Sequence, residues 1–196
     1  LQARAIILGQ GGTHPIGKLA GLGQCGAAFP VEPAKVVVIG GGHAGIEASL
    51  ASARMGVLTT LITLDASKIG EMSCNPSIVG VGKGQLVKEI DALGGEMGRT
   101  ADRTGIQFKR LNTRKGSAVQ SSRCQADKKQ YALQMQKVVS EQDGLNVLQA
   151  EVKEVRTEAG RIVGVEVALA GGEREYLPAT SVVITAGTFM KGLMHC

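Results

Sequence analysis

Gly40, Gly42 and Gly45 stand in G-x-G-x-x-G register directly behind the β-branched run Val36 to Ile39. Ahead of them, Ala44 to Met55 has the small-residue composition of a helix packed tightly on a sheet. A glycine turn between a buried strand and a helix is suited to holding a phosphate. The first glycine permits the tight turn, the second lets the backbone approach a pyrophosphate, and the third lets helix and strand pack closely, so that free N–H groups face the anion. The spacing alone arises by chance in a chain with 28 glycines, and its strand-turn-helix context is what makes it a dinucleotide site.

A second chemical candidate is Cys74, in the stretch Gly70-Glu-Met-Ser-Cys-Asn-Pro-Ser-Ile-Val-Gly-Val-Gly-Lys-Gly84. Rich in glycine and too polar for a strand, this stretch reads as a long loop of the functional kind. A cysteine there is either a packing residue or a nucleophile. Lys83 could favour its thiolate, or serve only as a phosphate contact. His43 lies between the glycines, where a helix N-terminus disfavours imidazolium, so packing over the turn is preferred to proton transfer. Glu47 reads as a favourable charge in the first turn of the same helix. Cys25, Cys124 and Cys196 read as structural or incidental. No C-x-x-C pair and no histidine at ligand spacing accompanies any cysteine, which argues against a zinc site or a disulfide framework and for a reducing compartment.

The third candidate is a charge run. From Arg99 to Lys129 nine basic residues (Arg99, Arg103, Lys109, Arg110, Arg114, Lys115, Arg123, Lys128, Lys129) face only Asp102 and Asp127, a local +7. With a net charge of +5, the rest of the chain sums to about −2. Such a run is either a solvated face or a phosphate-contacting surface. Phe108 is its only aromatic, so base stacking is not expected from this segment.

The elements that position these residues follow from pattern. A length of 196 residues suits one domain, and aromatics at 3% with abundant Gly, Ala and Val fit helices on a parallel sheet. No apolar run approaches bilayer-spanning length, so no membrane is expected. Leu58 to Leu64 reads as a second strand. Thr63 falls where a ribose-binding acid is usual and Asp65 follows it, which leaves the ribose contact open. Gln85 to Leu93 reads as a short helix, Gly105 to Leu111 as a strand, and Ala126 to Gln142 as an amphipathic helix. Leu145 to Val155, Ile162 to Ala168 and Glu173 to Tyr176 alternate as antiparallel strands, with Gly171-Gly172 as a hairpin turn. Ser181 to Thr185 is a last apolar strand. The layout is α/β: parallel strands with an antiparallel meander inserted before the last one. Residues 1–33 form a glycine-rich extension ending in Phe29-Pro30-Val31-Glu32-Pro33. It reads as unstructured or, given its scarcity of acids, as an organelle transit segment.

Several blocks in order resemble one family: Ile39-Gly-Gly-Gly-His-Ala-Gly45, Met72-Ser-Cys-Asn-Pro76, Gly82-Lys-Gly84, Val87 to Gly95, Gly105-Ile-Gln-Phe108, Arg123-Cys-Gln-Ala-Asp127 and Gly187-Thr-Phe189. Together they are similar to the tRNA uridine 5-carboxymethylaminomethyl modification enzymes, also called the glucose-inhibited division protein A family. The resemblance runs from about Val36 to His195. It departs at Ser117, where the family usually has proline, and at Glu71, where it has glutamine.

The resemblance implies a Rossmann-like FAD-binding domain of the glutathione-reductase type, of which residues 34–196 would be the N-terminal part. It implies FAD held by Gly40, Gly41, Gly42, His43, Ala44 and Gly45, with backbone near Val152 approaching the adenine. It further implies modification of the wobble uridine of tRNA with methylenetetrahydrofolate as one-carbon donor, glycine or ammonium completing the substituent and NADH as reductant. Cys74 becomes the catalytic thiol, adding to carbon 6 of uracil so that carbon 5 turns nucleophilic. A GTPase partner in a heterotetramer, a homodimer of the full-length protein and a cytoplasmic, mitochondrial or plastid location come with it. The chain resembles the N-terminal third of such an enzyme. Two other functions remain open on the residues alone: a general FAD/NADH oxidoreductase, and a non-catalytic nucleotide- or RNA-binding module.

Overall fold

A computed structural model describes residues 6–9, 35–73, 75–78, 80 and 82–187. Within these residues, ten strands and four helices follow in chain order: β1 (Ile6–Gly9), β2 (Lys35–Ile39), α1 (His43–Arg54), β3 (Leu58–Thr63), β4 (Ser77–Ile78), α2 (Lys83–Ala92), α3 (Met97–Thr104), β5 (Gly105–Leu111), β6 (Ser121–Ala126), α4 (Lys128–Glu141), β7 (Leu145–Glu158), β8 (Arg161–Leu169), β9 (Arg174–Pro178) and β10 (Ser181–Ile184).

The main sheet has the order β1-β10-β2-β3-β7-β8-β9. β10, β2, β3 and the first part of β7 are parallel, in the register Val182↔Val37, Val38↔Leu61 and Leu61↔Val147. β7 is 14 residues long and serves twice. Thr59 to Thr63 pair with Leu145 to Gln149, and from Ala150 onward β7 pairs antiparallel with β8, which pairs with β9. The expected parallel sheet with an inserted meander is therefore present.

Alternation along the central strands sorts the core into two layers. Val38, Leu61 and Val183 face α1 and α4, joining Ile46, Leu50, Tyr131, Met135 and Val139. Val37, Ile62 and Val182 face the opposite way, where the meander supplies Ile162, Val165 and Val167. Burial of each such side chain contributes about 1.5–3 kcal/mol. Small residues on α1 permit close approach to β3. Ser49, Ser52 and Ala53 are buried, and Thr59 Oγ1 lies 2.9 Å from Ser52 Oγ.

The second sheet, β4-β6-β5, is antiparallel and lies within the region read as loop and charge run. Three differences from the sequence reading fall here. Ser77 and Ile78, inside the stretch taken as too polar for a strand, pair with Gln125 and Cys124 and are buried. α2 begins at Lys83 rather than Gln85, because Gln85 Oε1 accepts the Gly82 N–H at 2.7 Å and fixes the first turn. α3 and β6 go unread in the sequence: α3 is eight residues long and its buried face, Met97, Thr100 and Ala101, has helical spacing but only one large apolar side chain, and β6 is too polar to show an apolar alternation. Of the N-terminal extension, Ile6–Gly9 pairs antiparallel with β10 as an edge strand. The remainder of residues 1–33, including the Phe29 to Pro33 connection, lies outside the described residues.

Candidate dinucleotide site and basic hairpin

β2 sits between β3 on one side and β10 on the other, so its carboxyl end opens at a topological switch point, the place where open α/β sheets bind ligands. The glycine turn occupies that point. Gly40 has φ +114, a conformation that side chains resist, and a Cβ there would lie 2.6 Å from the Thr185 carbonyl oxygen. A Cβ on Gly45 would collide with the Gly40 carbonyl oxygen and sit 2.8 Å from Thr185 Oγ1. Gly42 is the opposite case, with extended backbone (φ −76, ψ 179) and nothing within 4 Å of a Cβ position. Two glycines are thus demanded by packing, while the third leaves open space in front of the helix.

The N-terminus of α1 has no side-chain cap and no acid in its first turn. Its leading N–H groups, with the positive end of the helix dipole, are left for an external anion. Thr185, just past β10, braces the turn: its N–H and its hydroxyl each reach the Ile39 carbonyl at 2.8 Å. The sequence marks Thr185 only as the end of the last apolar strand.

Gly41 packs against Thr63, whose Oγ1 would lie 2.7 Å from a Cβ at that position. Thr63 thus closes the turn from the β3 side. Asp65 is turned to local work, accepting from Ser67 N–H at 3.0 Å and Ser67 Oγ at 2.6 Å as the cap of a short 3-10 turn. Its carboxyl is held below the usual range, chiefly by the Ser67 hydroxyl. Beyond Leu64, an open groove of about 500 Å³ is lined by Gln149, Ala150, Glu151, Lys153 and Leu169. Val152, half-buried on β7, belongs to the strand that floors it.

His43 opens α1 and packs on Tyr131 of α4, with ring centroids 5.6 Å apart. Burial, then the charge of Lys83, lowers the His43 pKa from 6.5 to about 4. The imidazole is therefore neutral, in keeping with a packing residue at a helix N-terminus. His43 Nε2 and the Tyr131 hydroxyl are both buried and have no hydrogen-bond partner among the described residues. Burial, followed by the Glu47 carboxylate, pushes the Tyr131 hydroxyl pKa up, so it stays a neutral donor.

Glu47 departs from expectation. It does not serve its own first turn. Its carboxylate accepts the N–H groups of Glu96 at 3.0 Å and Met97 at 2.6 Å, capping α3. The buried Glu96 in turn pairs with Arg54 at 2.8 Å.

Cys74 lies outside the described residues. Its loop is anchored on both flanks: Met72 is buried in the core, and the Pro76 carbonyl accepts Ala126 N–H at 2.8 Å. Lys83 Nζ donates to the Ser77 carbonyl at 3.1 Å. Cys124 is buried, as a structural cysteine should be, with its thiol pKa raised by burial.

The charge run maps onto α3, the β5–β6 hairpin and the start of α4. All nine basic side chains are exposed except the half-buried Arg123. Lys128 pairs with Glu71 at 3.4 Å, and Arg103 lies 3.9 Å from Glu96.

This arrangement defines a Rossmann-like α/β domain of the FAD-binding type. The glycerol-3-phosphate dehydrogenase of Bacillus halodurans, solved in complex with FAD, shares the fold, with a TM-score of 0.52 over 78% of this chain and 34% of that one at 18% identity. Residues 35–196 match the family Glucose inhibited division protein A, and the chain belongs to that family. The tRNA uridine 5-carboxymethylaminomethyl modification enzyme MnmG of Aquifex aeolicus is 54% identical over 168 residues, covering 86% of this chain and 27% of that protein. Its namesake from Geotalea uraniireducens is 56% identical over 160 residues, 82% of this chain and 25% of that protein. Aquifex aeolicus GidA in its form II crystal superimposes with a TM-score of 0.74 at 54% identity, over 83% of this chain and 26% of that one. The chain thus spans about a quarter of the length of the curated relatives it matches.

Proposed function

We propose that this chain is the cofactor-binding portion of an FAD-dependent enzyme that places a carboxymethylaminomethyl or aminomethyl group on carbon 5 of a tRNA wobble uridine. The observation that carries the reading is the uncapped α1 N-terminus facing open space at Gly42, braced by the tight Gly40–Gly45 turn. FAD fits there. Its pyrophosphate would lie against the N–H groups of Gly41, Gly42, His43 and Ala44, and its adenine would extend toward the groove floored by β7 near Val152. When bound, the flavin supplies redox chemistry, with methylenetetrahydrofolate as one-carbon donor and NADH as reductant.

On the tRNA side, Cys74 is assigned the nucleophile. Its thiolate forms an S–C bond to carbon 6 of uracil, which makes carbon 5 an enolate-like nucleophile. Carbon 5 takes the folate-derived methylene from its carrier nitrogen; loss of the carbon 5 proton expels that nitrogen and leaves an exocyclic methylene, glycine or ammonium adds to it, and expulsion of the thiolate restores the ring. Lys83, nine residues further along the chain, is the cation assigned to favour the thiolate. The complete polypeptide would act with a GTPase partner in a heterotetramer and as a homodimer. A general flavin oxidoreductase would need neither the Met72-to-Pro76 block nor the basic hairpin, and similarity to the tRNA-modifying enzymes favours the first reading. The test is to purify the complete polypeptide, record its flavin spectrum and assay an unmodified tRNA transcript with methylenetetrahydrofolate, NADH, glycine or ammonium, GTP and the GTPase. Bound FAD with C5 modification is expected. Bound FAD that turns over NADH without altering the tRNA would overturn it.

A further inference from the structure

The β5–β6 hairpin, residues 105–126, holds five cations and no acid. Among the described residues, Lys109, Arg110, Arg114 and Lys115 lie within 4 Å of no carboxylate. Its tip is closed. Asn112 adopts φ 57 and donates from Nδ2 to the Val119 carbonyl at 2.9 Å, Lys115 N–H reaches the Asn112 carbonyl at 2.9 Å, and Gln120 Nε2 reaches the Lys115 carbonyl at 2.9 Å. Arg114 and Lys115 therefore project from an ordered loop.

β5 is the edge strand of its sheet, and Ile106 to Arg110 are exposed on both of its faces. Phe108, the lone aromatic of this segment, is 60% exposed. Its ring lies across the backbone of Gly105, where a Cβ would collide with its Cζ. One face is thereby supported and the other left open. Arg110 follows on the same side of the strand, about 7 Å along.

An exposed edge carrying Ile106 and Phe108 would normally invite self-association, but four unpaired cations oppose a second copy and select a polyanion. A duplex supplies phosphates and no free ring faces. Unpaired nucleotides supply both. We propose that this hairpin is a platform for unpaired RNA, with Phe108 stacking a base and Lys109, Arg110, Arg114 and Lys115 holding the flanking phosphates. The inference rests on the tRNA-modifying reading above and specifies that the loop of the substrate, rather than a stem, lies on β5.

The experiment measures binding of the complete polypeptide to a stem–loop RNA and to a blunt duplex of the same length, by anisotropy across a salt series. Phe108→Ala is expected to weaken stem–loop binding by about 5- to 100-fold with little effect on the duplex, and Phe108→Tyr to restore it. Arg114→Gln with Lys115→Gln should lower the salt slope for both RNAs by roughly 0.7–0.9 for each phosphate no longer neutralised. Full binding by Phe108→Leu would show that the position packs against protein and would overturn the platform. So would equal weakening on loop and duplex by Phe108→Ala. A wild-type protein that binds neither RNA would instead overturn the tRNA reading itself. Flavin absorbance of each variant separates a binding defect from a folding defect.

Discussion

The Glu47 carboxylate reaches across to α3 and accepts the Met97 N–H at 2.6 Å, so the helix that starts at the glycine turn also fixes the element carrying Arg99 and Arg103. The adjoining Glu96 N–H, on a residue only 3% exposed, is satisfied by the same carboxylate.

Glu47→Ala should therefore lower stability by about 1–3 kcal/mol, since it removes a charged cap and leaves buried N–H groups without an acceptor. Glu47→Gln, which keeps one acceptor oxygen, should cost less. Urea unfolding midpoints of the three proteins check this. An Ala variant as stable as the parent would mean that water replaces the carboxylate at no cost.

The glycines of the turn should separate folding from binding. Gly45→Ala forces a Cβ into the Gly40 carbonyl, and overpacking of this kind costs about 3 kcal/mol or more. Gly42→Val meets no protein atom and should leave the melting temperature nearly unchanged while abolishing FAD binding, because its side chain fills the pyrophosphate approach. Undiminished flavin titration of the Gly42 variant would remove the phosphate from this position.

His43 gives a pH signature. Its pKa falls from 6.5 in the unfolded chain to about 4 in the native one, so the stabilising form is the neutral one, fully present above pH 6.5. As pH drops from 6.5 toward 4, the unfolded state takes up a proton that the native state refuses, and up to about 3 kcal/mol is lost. His43→Gln should lack this component of the acid slope. Parallel stability-against-pH curves for parent and variant would show that the imidazole titrates normally.

In the complete polypeptide, Cys74→Ser is expected to leave flavin absorbance and melting temperature intact while eliminating tRNA modification. Serine preserves size, but its hydroxyl is not appreciably ionised near neutral pH and is a far poorer nucleophile. Modification at the parental rate would move the thiol chemistry to another residue.

Local sequence was enough for the β2-turn-α1 unit, the strands at Leu58, Gly105 and Ser181, the long helix now called α4, and the meander from Leu145. Each is written in a short-range signal: a β-branched run, a two- or 3.6-residue period, or a glycine at a turn. The rest was set by how the folded chain closes on itself. Ser121 to Ala126 becomes a strand because β5 and Ser77–Ile78 supply ladder partners on either side, not because Ser, Arg and Gln prefer one. Glu47 finds its N–H donors 49 and 50 residues away, and His43 meets a tyrosine from a helix 88 positions on, distances over which spacing carries no information. The exposure of Phe108 is likewise set by where the edge of a three-stranded sheet falls. Side-chain chemistry is local, but its partners are chosen by loop closures that only the folded chain completes.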